Sequence, residues 1–450
     1  MSLLESVSVS IEPLEPGPQA ASLRSRYQTG VAFNFVGAAF NQGSTFVFTV
    51  VAANLLGRDA FGKYGMVAST LVALSQIAQL ACGHTATKYV AEYRSCDKEK
   101  CGRVIGMLLV VVACAAGLVA LGLLASVRWL ANSVLKAPDL RFGLAIGAGI
   151  VFLNVLIGFF MGALAGLETY RTLSWALVQF GVLYLVTCTL ATWRFGLNGT
   201  FGGLFLSALL GCVLLGTALK SECHKMRIPI RFGLFPEARK ILMGFALPGA
   251  VSSLTFLPAL WIGDAILVRQ PQGDAQMALF SAAYILMAAV LFIPNITYVV
   301  GWSLLNHQKG QRQWDQYRIV FKINLALTGA AVVVGVSALS VFGPAILRLF
   351  GKDFVDGRMV LLVMLAAAIP QALGLSALQH LLSQEHLWLS FFAVVLPRDF
   401  LLAALAAYLI PRHGAVGLAW AYAAAWMMAL IIITPVTLSV GVRAAALDAP

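Results

Sequence analysis

Three sets of residues in this chain have types and spacings that could do chemistry. Gln76, His84, Lys88 and Glu92 advance mostly in steps of four, with Gln79 close by. That spacing lays them along one side of a helix. Polar groups are costly against lipid, so the stripe is expected to face the interior or a water-filled cavity. The alternative is that Lys88 and Glu92 snorkel to head groups, with His84 either a packed polar residue or a cavity residue. In a second set, Pro397-Arg398-Asp399 falls near the middle of an apolar run. A charge there costs roughly 2.5–3.5 kcal/mol on insertion scales. Adjacent residues on a helix point about 100° apart, so one member of the pair is expected to meet a partner on another helix. The pair is then either a buried structural ion pair, or Arg398 offers its guanidinium to an anionic group such as a phosphate. The third set is an uncharged polar face carried by two separate apolar runs. One holds Asn34, Asn41, Gln42, Ser44 and Thr45; the other holds Ser252, Ser253 and Asp264. A wet surface between two parts of the chain explains those faces better than lipid does. Asp264 reads either as an interfacial residue or as a cavity or proton-linked carboxylate.

The elements that must position these residues are set by composition. The 450 residues are 60% hydrophobic and 11% charged, with mean hydropathy +0.86. A soluble domain carries about 25% charged residues, so this chain cannot cover a water-facing surface. Apolar runs of about 20 residues, enough to cross roughly 30 Å of hydrocarbon, recur at 31–55, 64–87, 104–126, 142–167, 174–193, 199–219, 241–268, 277–304, 319–342, 358–382, 387–410 and 414–438. The expected class is an all-α integral membrane protein with about twelve transmembrane helices.

The net charge is +12, but the bases lie mostly between apolar runs and form no stripe interleaved with aromatics. Nucleic acid is therefore not the expected partner; membrane lipids are. Lys and Arg are more numerous on the side of the N-terminus, which places both termini in the cytoplasm. The seven cysteines lack zinc spacing, so no metal or cofactor is expected. Residues 1–29 are polar and proline-bearing and are read as a disordered cytoplasmic tail, not a signal peptide.

The chain reads as two halves. The basic segment 220–240 separates a six-helix lobe over 30–219 from a second over 241–440, with a short cytoplasmic tail at 441–450. Gly196–Gly199 answers Gly414–Gly417, Glu168 answers Glu385, and Gln79 answers Asn295, all at nearly the same offset. An even number of spans per half makes this a parallel repeat with a pathway between the lobes. Gly158, Gly162 and Gly166 form a small-residue ladder that lets another helix approach closely. Pro248, Pro258, Pro294, Pro370, Pro397 and Pro435 all fall in spans of the second half, which is expected to hold the bent helices. No phosphate-binding loop of the G-x-x-x-x-G-K-[ST] type occurs, so transport by this chain would draw on a gradient, the membrane potential or removal of the substrate.

Several segments in order resemble one family. Asn54 to Gly65 (NLLGRDAFGKYG), Gly83 to Arg94 (GHTATKYVAEYR), Leu164 to Arg171 (LAGLETYR) and Leu349 to Phe354 (LFGKDF) are similar to the polysaccharide and O-antigen flippases. These form the polysaccharide-transport branch of the multidrug/oligosaccharidyl-lipid/polysaccharide exporter superfamily. The resemblance implies two six-helix lobes around a cavity that is often cationic. It also implies alternating-access movement of an undecaprenyl-diphosphate-linked oligosaccharide across the bacterial inner membrane, for exopolysaccharide or lipopolysaccharide O-antigen assembly, without enzymatic activity. Implied partners are that lipid-linked substrate, a glycan polymerase and a chain-length regulator. The pathway residues expected are Arg398, Asp399, Lys88, His84, Gln79, Asn34, Asn41, Asp264 and Asn295, with Arg398 and Lys88 the candidate cavity bases. The alternatives are a cation-coupled multidrug exporter of the same superfamily, a membrane glycan polymerase or ligase, and a non-transporting scaffold of a glycan assembly complex.

Overall fold

Inside hydrocarbon each backbone N–H and C=O must be paired within its own segment, and helices meet that demand. The computed structural model describes residues 18–79, 82–94, 96–233, 256–295, 314–383 and 387–447, and all regular structure among them is helical. The principal helices are α1 (Pro18–Gln79), α2 (Cys82–Tyr93), α3 (Lys98–Trp129), α4 (Arg141–Gly166), α5 (Tyr170–Lys225), α6 (Phe256–Val268), α7 (Gly273–Val290), α8 (Trp314–Phe350), α9 (Arg358–Ser383) and α10 (Leu396–Leu447). Eight helices among the described residues are long and apolar enough to cross a membrane, and α6 is a shorter apolar helix. The protein is thus a multi-pass helical membrane protein.

Three helices are far longer than the ~20 residues one crossing needs: α1 has 62, α5 has 56 and α10 has 52. Each is broken at one glycine. Gly57 has φ 75°, Gly196 has φ 58° and ψ −140°, and Gly414 has φ 55° and ψ −133°. A positive φ costs glycine nothing, because it has no Cβ to strike the following carbonyl. The chain doubles back at these points. In α5, Thr192 and Thr200 share a hydrogen bond of 3.0 Å across the break, and Gly203 packs on the Cα of Cys188.

Two boundaries are drawn by the helices: α1 begins at Pro18, inside the expected tail of 1–29. Proline is suited to that position because its missing N–H has no partner there anyway. At the other terminus 441–447 continue α10, where Ala444, Ala445 and Ala446 carry the highest helix propensity. The remaining tail residues, most of the basic segment from 234 onward, Ser252, Ser253, Glu385 and Pro248 lie outside the described residues.

Pro344 sits inside α8, Pro370 inside α9, and Pro411 and Pro435 inside α10 on either side of its break, while the residue with reversed backbone in α10 is Gly414. Pro397 has no N–H to donate, and a π-helical turn over Phe391–Val395 lies just before it. A widened turn is a known way to accommodate a lost bond in the ladder.

Small residues set the helix spacing, as the ladder predicts. A Cβ on Gly162 would overlap the carbonyl of Gly83, and one on Gly166 would lie 2.9 Å from that of Thr87. Thr87 Oγ1 also donates to the carbonyl of Gly162 at 2.9 Å. These contacts dock α2 onto α4. On α8, Ile319, Ile323, Leu327, Val334 and Val341 remain exposed. In water such a stripe would drive aggregation, whereas lipid tails match it.

The connectors sort to two ends. Lys63 pairs with Asp139 of the α3–α4 connection, and Arg58 pairs with Asp356 of the α8–α9 connection. Those loops therefore share the Gly57 end. At the opposite end, Arg94 after α2 pairs with Glu168 after α4, and Arg231 after α5 pairs with Glu99 at the start of α3.

Candidate functional site

A cavity of about 200 Å³ lies where the second part of α1 meets α6 and α7. Its wall is mostly apolar and includes five aromatic rings, Phe61 and Tyr64 from α1, Trp261 from α6, and Phe280 and Tyr284 from α7. The polar groups are few: Ser69, Ser281 and the carboxylate of Asp264. Asp264 is only 2% exposed, and its Oδ1 has no hydrogen-bond partner among the described residues. An unsatisfied buried acceptor costs roughly 1–3 kcal/mol, so this carboxylate is expensive to keep and invites a ligand.

On the Gly57 side of this cavity α1 packs tightly against the start of α7 and the α8–α9 connection. A Cβ on Gly62 would overlap the backbone of Asp274, and one on Gly65 would strike the side chain of Ser281. Arg58 donates to the carbonyl of Ala275 at 3.4 Å and to that of Asp353 at 3.3 Å. Asn54 donates to the carbonyl of Leu349. Lys63 lies 3.9 Å from Asp274. Beneath these polar ties Phe61 packs against Phe350 and Phe354 at ring separations of 6.5 and 5.6 Å. Trp261 Nε1 donates to Thr70 Oγ1 at 2.9 Å, a bond from α6 to α1 at the cavity wall.

Of the sequence-predicted residues, Asp264 is placed in this cavity. Arg398 and Asp399 are elsewhere, in the geometry of the first of the two alternatives, a buried ion pair. They bond each other: Arg398 Nε and Nη2 both lie 2.7 Å from Asp399 Oδ1. The pair opens α10 directly after the π-turn and is 5% and 3% exposed. The guanidinium sits 4.7 Å from the ring of Phe256 and 4.3 Å from that of Trp426. Delocalised charge on aromatic faces explains how the arginine is held in an apolar setting. Arg398 is therefore enclosed in this conformation and presents no open anion site.

The stripe on α2 is exposed as a unit. His84, Lys88 and Glu92 are exposed, as is Gln76 on α1, while Cys82, Thr85, Ala86 and Val90 on the other side are buried. Gln79 is half-buried, its amide nitrogen lying over Gly158. Asn41 is half-buried and its Cα is 3.3 Å from a Cβ built on Gly181 of α5. Asn295 is exposed at the last described turn after α7. The side chain of Asn34 lies outside the described residues. No group of three metal-ligating side chains occurs among the described residues.

Sequence reasoning missed the aromatic wall. Trp261, Tyr64 and Tyr284 look like ordinary apolar span residues, and only the meeting of α1, α6 and α7 gathers them. A family profile described as "polysaccharide biosynthesis protein" matches residues 28–300, more than half of the chain. The chain belongs to that family. No curated protein sequence matches this polysaccharide biosynthesis protein.

Solved structures share its fold. One, described as the inward-facing conformation of a multidrug resistance MATE family transporter of the MOP superfamily, has a TM-score of 0.78 at 14% identity, covering 92% of this chain and 100% of that one. An outward-facing structure of such a transporter gives 0.69 at 16% identity, covering 93% and 95%. A MOP superfamily transporter from Pyrococcus furiosus, whose description reports reverse polarity of its binding pocket, gives 0.70 at 16% identity, covering 94% and 96%. At such identities the likeness establishes the fold of this family member and nothing finer.

Proposed function

We propose that this polysaccharide biosynthesis protein is a flippase that moves an undecaprenyl-diphosphate-linked oligosaccharide across the bacterial inner membrane by alternating access. The observation that carries the reading is the tight closure of α1 on α7 at the Gly57 end. Gly62 meets the backbone of Asp274 at one end, and the cavity beside Asp264 lies just inside that seal. A carrier needs a site between two bodies that can seal on either side.

Twelve spans in two six-helix lobes are part of the same proposal. The matching backbone of Gly196 and Gly414, φ 58° and 55° with ψ −140° and −133°, supports the parallel repeat. With both termini in the cytoplasm, the Gly57 end is periplasmic and the conformation is inward-facing. The exposed stripe of His84, Lys88 and Glu92 then stands near the cytoplasmic mouth, where Lys88 is the accessible base for a diphosphate. The glycan would sit between the lobes while the polyprenyl tail stays in lipid.

A deletion strain tests the reading. Lipid-linked oligosaccharide should accumulate on the cytoplasmic leaflet and surface glycan should fall, with both restored by the plasmid-borne chain. Normal glycan delivery in a strain with no redundant flippase would overturn it. The second reading, a cation-coupled multidrug exporter, draws on one observation, the buried carboxylate of Asp264 in the cavity. It requires the deletion strain to become drug-sensitive with its glycan unchanged.

A further inference from the structure

Oδ1 of the buried Asp264 carboxylate lacks a donor among the described residues, and its surroundings narrow the donor's chemistry. Among the described residues no lysine, arginine or histidine lines the cavity, so a phosphate there would meet a carboxylate with no cation beside it. A hydrocarbon tail would fill the space and leave Oδ1 unsatisfied. A hard divalent cation requires six or more oxygen ligands, roughly 6–8 for calcium, and an aromatic wall offers few. What remains must be a compact group with apolar faces and hydrogen-bond donors at its edge. A pyranose ring has that form: its axial C–H groups lie against aromatic rings, and its equatorial hydroxyls donate outward.

We propose that this cavity is a subsite for one sugar ring of the transported glycan. Trp261 and Tyr284 supply stacking faces, Asp264 accepts from ring hydroxyls, and Ser69 and Ser281 complete the polar edge. The assignment rests on the flippase reading and names where the glycan, as distinct from the diphosphate, is held. It also gives the subsite a link to closure. The Trp261 indole is tied to Thr70 of α1 by a 2.9 Å hydrogen bond, so separating α1 from α6 at the seal would move a stacking face away. A sugar bound here would be released as the Gly57 end opens.

The test uses the purified full chain in lipid nanodiscs. Saturation-transfer-difference NMR is recorded with the methyl α-glycosides of glucose, galactose, mannose and N-acetylglucosamine, and separately with tetraethylammonium. At least one glycoside should receive saturation on its ring protons. Asp264→Asn should weaken that binding about tenfold, equivalent to about 1.4 kcal/mol, and Trp261→Ala should abolish it. Trp261→Phe, which keeps a ring, should bind more tightly than Trp261→Ala. Thr70→Val, which removes the indole hydrogen bond but no wall group, should still bind the glycoside. A purely structural role for Trp261 predicts instead that Trp261→Phe and Thr70→Val fail together. The proposal is overturned if no glycoside binds, or if tetraethylammonium gives the Asp264-dependent signal. If no glycoside binds yet the chain restores glycan export in the deletion strain, the subsite falls and the flippase reading stands. If the deletion strain exports normally, the flippase reading falls first.

Discussion

The guanidinium of Arg58, one residue past the break in α1, lies 3.0 Å from the carboxylate of Asp356 in the turn between α8 and α9. The same side chain reaches the carbonyls of Ala275 and Asp353. One residue of α1 thus holds both the first turn of α7 and the α8–α9 connection. The Asp356 side chain is 71% exposed, and exposed ion pairs contribute at most about 1 kcal/mol. The two carbonyls are therefore expected to matter more than the ion pair.

That ordering can be measured. Asp356→Ala should shift the closed-to-open ratio of the Gly57 end only slightly. Arg58→Ala should shift it about fivefold, the equivalent of about 1 kcal/mol. Electron–electron distances between spin labels at positions 59 and 272, in a background without native cysteines, report the ratio. Equal effects of the two variants would contradict the assignment.

Gly62 makes a stronger prediction. Any Cβ there overlaps the backbone of Asp274, and a backbone carbonyl cannot swing aside as a side-chain tip can. Gly62→Val should therefore prevent closure of this end while leaving each half folded. The same spin-label pair should report long distances in nearly all molecules, with thermal unfolding little altered. A closed population like that of the wild type would refute the seal.

Arg94 and Glu168 pair at 2.6 Å, and Arg94 also donates to the carbonyl of Leu167 at 2.9 Å. Glu168 itself has φ 56°, a backbone that costs a non-glycine residue roughly 1–2 kcal/mol. Glu168→Ala should lower Tm because the strain remains and the ion pair is lost. Glu168→Gly should leave Tm near the wild-type value, since relief of strain offsets the lost pair. Differential scanning fluorimetry in detergent separates these outcomes; equal losses would mean the backbone strain is immaterial.

The Arg398–Asp399 pair should behave as a buried structural pair. Arg398→Ala leaves the carboxylate uncompensated and should destabilise by about 3–5 kcal/mol, seen as loss of folded, monodisperse protein. Arg398→Met combined with Asp399→Leu should recover folding, because removing both charges also removes the desolvation cost. If Arg398→Ala folds well but fails to transport, the guanidinium contacts substrate in another conformation.

Some of this protein was fixed by local sequence alone. Runs of about 20 apolar residues must be helices in lipid, since no other segment satisfies its own backbone there. Gly196 and Gly414 are legible in sequence as matching repeat positions, while their positive φ, which only glycine takes without strain, appears only in the folded backbone. The ladder of Gly158, Gly162 and Gly166 announced close helix packing for the same steric reason, lacking only the identity of the partner. The tertiary structure decided the rest. Asp264 reads in sequence as one carboxylate near a helix end; its burial exists only because α1 and α7 cover it. Arg398 reads in sequence either as half of a buried ion pair or as an anion site; in the fold Phe256 and Trp426 enclose its guanidinium. Trp261, Tyr64 and Tyr284 gave no signal, because an aromatic residue facing lipid and one facing a cavity follow the same apolar pattern. A helix's own residues determine its existence and its faces. Which face becomes a site is settled by what packs beside it.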